Sequence, residues 1–124
     1  MRTAMMTARS LSRVYRGKPG EVARARRDLA AYLGSIPQAD DVILIASELA
    51  ANSVVHSGSK MFVMRCEIFA SYIWVEAQDS GSDWHPRVPD DRPHGTDLIE
   101  LLAEEWGTEV STRGDRVTWA RVAR

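Results

Sequence analysis

A chain of 124 residues, 44% apolar and 27% charged, can bury one core and has the composition of an ordinary globular domain rather than of a disordered or fibrous chain. Its longest strictly apolar run, Val42 to Ala46, is far too short to span a bilayer, and the first nine residues hold no apolar stretch of the kind a secretion signal needs. The net charge of −1 conceals an asymmetry: residues 1–34 carry eight basic side chains against Glu21 and Asp28, a balance of +6, while residues 35–124 carry eight basic against fifteen acidic, a balance of −7. Such a basic amino-terminal third suits an acidic partner, nucleic acid, or simply a solvated face. Direct nucleic-acid binding is not expected. There is no helix-turn-helix pattern, and Tyr15 and Tyr32 are the only aromatics among the basic residues. The single cysteine, Cys66, cannot form an intrachain disulfide. A reducing, cytoplasmic setting is therefore expected, and the residue itself reads as a small buried hydrophobe.

In chain order, residues 9–16 alternate, with Leu11, Arg13 and Tyr15 against Ser12, Val14 and Arg16, which predicts an edge strand. Residues 1–8 are left as a disordered end. Pro19 suits the first turn of a helix running to about Leu33, with Val22, Ala25, Leu29 and Leu33 on one stripe and Gly34 just past its end. Pro37 opens a second helix, with Asp40 and Asp41 where the dipole favours negative charge. Residues 61–69 and 72–78 are rich in strand formers and predict a hairpin. Residues 79–95 contain Gly81, Pro86, Pro89 and Pro93, and read as a loop. Loops of that length in a compact domain are often functional. A short helix over 96–105 and a second hairpin, 106–111 with 116–122, complete the chain. The order β, α, α, β, β, loop, α, β, β predicts one domain over 1–124: an α/β (α+β) two-layer sandwich, its sheet mixed but mostly antiparallel, with helices on one face.

Glu48 and Asn52 stand out within residues 45–56 (IASELAANSVVH). The segment reads as a helix apolar nearly all round, and such helices are buried on more than one side. A carboxylate and a carboxamide four apart share a face. Burying both costs free energy unless something pairs with them, and a metal-bound anion would do so. The Asn52 oxygen suits one ligand position of Mg²⁺, an ion usually held by one or two protein groups plus phosphate oxygens. Glu48, one turn earlier, suits orienting or deprotonating a hydroxyl nucleophile. Further on, residues 75–82 (VEAQDSGS) place Asp79 at a strand end with Gly81 two later. Asp79 offers an acceptor for an exocyclic amine such as adenine's, and Gly81, lacking a Cβ, lets the backbone approach a ring. Residues 94–107 (HGTDLIELLAEEWG) open a helix at Gly95 and Thr96, whose free N–H groups suit phosphate. Each piece also has a plainer reading. Glu48 and Asn52 could form a solvated polar stripe, Asp79 and Gly81 an ordinary turn, and His56 a helix-end group that complements the dipole. Trp74, Trp106 and Trp119 lie in strands and read as core. Trp84 and His85, in the polar loop, do not.

In their order and spacing these three segments resemble the N, G1 and G2 boxes of the GHKL (Bergerat-fold) ATPases, and in particular the short actinobacterial anti-sigma-factor serine-protein kinases. The resemblance covers almost the whole chain. It implies a Bergerat ATP-binding fold, ATP and Mg²⁺ as cofactors, and a protein serine kinase that sequesters a sigma factor and phosphorylates an anti-anti-sigma antagonist. It also implies a homodimer. Carried to this sequence, Glu48 is the catalytic base, Asn52 the Mg²⁺ ligand, and Asp79, Gly81, His94, Gly95 and Thr96 contact the nucleotide. The chain departs from the pattern at Asp83, where a second G1 glycine is usual, at Val55, often Lys or Arg, and at Pro93, usually the first G2 glycine; Thr96 also stands where leucine is common. A carboxylate near a triphosphate repels it, and proline has no N–H to donate. Arg87, Arg92 and His94 offer some of the missing positive charge. Two functions therefore stand side by side: an ATP-dependent kinase, and a non-catalytic binding module on the same fold.

Overall fold

The computed structural model describes residues 7–56, 58, 60–81 and 95–124. The elements are β1 (Thr7–Arg16), α1 (Pro19–Leu33), α2 (Ala39–His56), β2 (Met61–Phe69), β3 (Tyr72–Asp79), α3 (Gly95–Leu102), β4 (Glu105–Val110) and β5 (Arg116–Ala123). They form one five-stranded sheet in the order β1-β2-β3-β5-β4, so β1 is an edge strand, as its alternation predicts. All four strand pairings are antiparallel, so the expected mixed sheet has no parallel pair among the described residues. Thr7 and Ala8 belong to β1; of the expected disordered end, residues 1–6 lie outside the described residues.

The register explains where the core sits. Leu11, Cys66, Val75, Ala120 and Trp106 stand opposite one another in a row across all five strands. Cys66, Val75 and Ala120 are buried, and Leu11 and Trp106 pack against them. One residue along, the pleat turns the row of Ser12, Arg65, Glu76, Trp119 and Gly107 to the other face. Among the described residues, the helices cover only the first face. α1 lays Ala25, Leu29 and Leu33 on it, and ends at Gly34, whose N–H bonds to Ala30 O at 3.0 Å. α2 packs against α1, α3 and strands β2, β3 and β5. Its Val42, Ile45, Ala46, Leu49 and Ala50 are buried, which is the burial on several sides expected of a helix apolar nearly all round. Each such Val, Leu or Ile contributes about 1.5–3 kcal/mol by leaving water.

Some boundaries differ from those expected. α2 begins at Ala39 rather than at Pro37. α3 stops at Leu102 because the chain turns into the sheet, where Glu104 N–H bonds to Arg121 O and Glu105 pairs with Arg121. Two of the three strand tryptophans are not core. Trp74 is out of phase with buried Ile73 and Val75, so it lies on the helix-free face, stacked on Trp119 at 4.7 Å and 9°. The basic residues of the amino-terminal third are solvated where described: Arg13, Arg16, Lys18, Arg24, Arg26 and Arg27 are all exposed. Among the described residues, no helix is long and apolar enough to cross a membrane.

Candidate functional site

Toward its carboxyl end α2 carries Glu48, Asn52 and Ser53. Glu48 and Asn52 lie along one edge of the helix and are half-buried. Neither makes a hydrogen bond or ion pair with another described residue. Ser53, one residue on, points inward and is buried. Its hydroxyl donates to Asp79 Oδ2 at 2.7 Å, which fixes the end of β3 to the helix. Asn52 and Asp79, distant in sequence, are thus brought to one locality.

Asp79 is the centre of a second arrangement that the sequence reading did not include. Arg116, opposite it on β5, donates from Nη2 to Asp79 Oδ2 at 3.0 Å. The two side chains are 9% and 1% exposed, so this ion pair is formed away from water. The other oxygen, Oδ1, accepts the Gly81 N–H at 3.0 Å. Hence one carboxylate accepts from a hydroxyl, a guanidinium and a backbone amide. A buried carboxylate needs such partners, since an unpaired one costs several kcal/mol.

Gly81 has φ +65°, a left-handed conformation that glycine adopts without strain. A Cβ there would lie 3.1 Å from Arg116 Cβ and 3.2 Å from Gly114 O. The close approach that this glycine permits is therefore between β3 and the β4–β5 hairpin. Both Arg116 and Asp79 left a signal in the sequence. Arg116 falls in phase with buried Ala120 and Val122, and Asp79 in phase with buried Ile73, Val75 and Ala77. Two opposite charges, each in an apolar phase of neighbouring strands, predict a buried pair.

Gly95 and Thr96 open α3, which packs against α2. The Thr96 and His56 side chains, His94, Trp84, His85 and the departures Asp83 and Pro93 lie outside the described residues, as do Arg87 and Arg92. Val55 is 69% exposed on α2, an apolar side chain in water beside the candidate site. No group of three or more His, Cys, Asp and Glu among the described residues could hold a metal ion on its own. A void between α1 and strands β1–β3, lined by Leu11, Tyr15, Ala25, Leu29, Cys66 and Val75 among others, measures about 10 Å³ and lies apart from these residues. At most one water fits it. Next to it, Tyr15 donates to Asp28 Oδ2 at 2.7 Å. Burial, reinforced by that hydrogen bond, holds the Tyr15 phenol above the ordinary tyrosine range.

No family model and no curated protein matches the chain. Among solved structures, it is similar to the crystal structure of the RsbU and RsbW domains of Rv1364c from Mycobacterium tuberculosis. The TM-score is 0.69 at 15% sequence identity, over 94% of this chain and 33% of that one. The two share a fold. The chain spans about a third of that neighbour's length, and the likeness is one of architecture: an α+β fold with an open, five-stranded antiparallel sheet.

Proposed function

We propose that the chain is a regulatory domain of the anti-sigma type that binds ATP·Mg²⁺ at the edge of α2. The observation that carries this reading is the pair Glu48 and Asn52, half-buried on one helix edge and unpartnered among the described residues. Polar groups in that position gain most from a polar ligand. The donor set suits Mg²⁺ arriving with a nucleotide: the Asn52 oxygen would supply one ligand, with phosphate oxygens and water completing the set. Bound there, the ion would neutralise charge on the phosphates. Glu48 takes the proton from a serine hydroxyl of an anti-anti-sigma partner. The serine oxygen then bonds to the terminal phosphorus as the bond to ADP breaks, and ADP leaves. The ordered likeness of three segments to the GHKL boxes supports this reading. So does the fold shared with a protein described by its RsbW domain. On this reading the partners are a sigma factor and its antagonist, and the chain works as a homodimer.

A second reading, docking of a protein partner without nucleotide chemistry, is favoured by one specific observation. Asp79 already accepts from Arg116, Ser53 and Gly81. Thermal unfolding with and without 1 mM Mg·ATP separates the two. A ligand binding at about 10 µM adds about 2.7 kcal/mol under those conditions. For a domain of this size that raises the midpoint by roughly 10 °C. A rise of that order, lost in Asn52→Ala, is expected. No rise leaves only docking, and labelled-ATP transfer to the antagonist then has no basis.

A further inference from the structure

Asp79 is the carboxylate that the likeness to the GHKL boxes assigns to an exocyclic amine of a base, and this chain has given it to Arg116. We propose that Arg116 is the specificity-determining residue of the base pocket, and that it makes nucleotide binding here independent of the adenine amine. The inference rests on the nucleotide reading given above.

The geometry carries it in three steps. Asp79 Oδ2 accepts two donors, Ser53 Oγ at 2.7 Å and Arg116 Nη2 at 3.0 Å. Oδ1 accepts the Gly81 amide at 3.0 Å, and with the side chain only 1% exposed its remaining lone pair does not open to solvent. A base amine reaches this carboxylate only by displacing a guanidinium from a buried ion pair, for which one neutral hydrogen bond is poor exchange. Nor can Arg116 withdraw by a small movement of its stem. Its Cβ sits against the Cβ-free side of Gly81, and its own strand is in register opposite Asp79. An arriving amine would instead meet guanidinium N–H groups, donor against donor. A pocket built to hydrogen-bond a substrate amine rejects the analogue lacking it, often strongly. A pocket whose acceptor is already taken does not.

The test compares two nucleotides that differ only at that amine: ATP and purine riboside triphosphate, which carries hydrogen in its place. Their dissociation constants are measured by titration calorimetry with Mg²⁺, on the unaltered chain and on Arg116→Met, which keeps the stem and removes the guanidinium. Equal binding by the unaltered chain, or a preference for the amine-free compound, is expected. In Arg116→Met, a preference for ATP of about tenfold or more should appear as Asp79 is freed. If the unaltered chain already prefers ATP by about tenfold or more, the inference is overturned and the nucleotide site stands. If neither compound binds the unaltered chain at millimolar concentration, the nucleotide reading itself is overturned and the inference goes with it. Should Arg116→Met fail to fold, the comparison on the unaltered chain decides alone.

Discussion

Two polar groupings lie one residue apart on the same helix, and they have opposite fates. Ser53 points into the core and joins Asp79, Arg116 and the Gly81 amide in a set where both carboxylate oxygens have donors. Asn52, its immediate neighbour, and Glu48 one turn earlier sit half in water with no partner among the described residues. A fully buried polar group is tolerated only when it is paired, so the first grouping belongs to the architecture: it ties α2 and β5 to the end of β3. The second grouping ties nothing together. On the proposed reading, a ligand takes up its polarity.

The difference can be broken most forcefully at Arg116. Arg116→Ala leaves Asp79 buried beside the hydroxyl and amide but without its counter-charge, and removing one partner of a buried pair typically costs about 3–5 kcal/mol. In a domain of this size that lowers the unfolding midpoint by well over 10 °C. Replacing both Asp79 and Arg116 with apolar residues of similar volume should recover much of the loss, because a charge pair taken out together leaves no orphan. A chemical-denaturation series on the three proteins reads both effects. A loss below about 1 kcal/mol for Arg116→Ala would mean that the pair is solvated and that the two groupings are not different in kind.

A smaller effect is expected at Ser53. Ser53→Ala removes one hydrogen bond to a charged acceptor that keeps its other two donors, a loss of about 1.5–3 kcal/mol. Tyr15 and Asp28 supply a third grouping, remote from the site, that tests whether satisfied pairs behave alike. Burial and the bond to Asp28 raise the folded-state pKa of Tyr15, whereas an unfolded tyrosine titrates at about 10. Below that pH both states are protonated and the contribution of the pair is fully present. Above it the unfolded state loses a proton that the folded state keeps, so stability falls as pH rises beyond about 10. Tyr15→Phe should flatten that alkaline decline relative to the parent, measured by urea midpoints from pH 8 to 11.

Much of this was legible from residue order alone, for reasons that can be named. α1 is bounded by Pro19 and Gly34 and runs between them as expected. The β2–β3 hairpin follows from strand-forming runs either side of residues 70 and 71. Glu48 and Asn52 were visible because they interrupt an apolar helix. Arg116 was missed although it interrupts an apolar phase just as plainly. The alternation of a strand is only two residues long, so one charge in phase looks like a turn residue until its partner strand is known. The tryptophans misled for a different reason. An aromatic in a strand fits either face, and only register shows that Trp74 and Trp119 meet on the side without helices. Gly107 records that meeting, since a Cβ there would lie 3.1 Å from the Trp119 ring.

The smallest expected change in stability is the most informative about function. Glu48→Gln and Asn52→Ala each remove a side-chain group that no described residue holds, so neither should shift the unfolding free energy by more than about 0.5 kcal/mol. Helix propensity works in the same direction, since alanine is a better helix former than asparagine and glutamine is close to glutamate. Against that flat background, the nucleotide reading requires Asn52→Ala to abolish any rise in midpoint with Mg·ATP, while Glu48→Gln should keep the rise and lose transfer, because on that reading the base acts on the nucleophile and not on the metal. A loss of 1 kcal/mol or more in either variant without ligand would show that the side chain already has a structural partner, and the contrast between the two groupings on α2 would then vanish. If both variants keep full stability and the Mg·ATP response of the parent is also unchanged in them, the α2 edge binds no nucleotide. Its polar pair would then have to be matched to a protein partner instead.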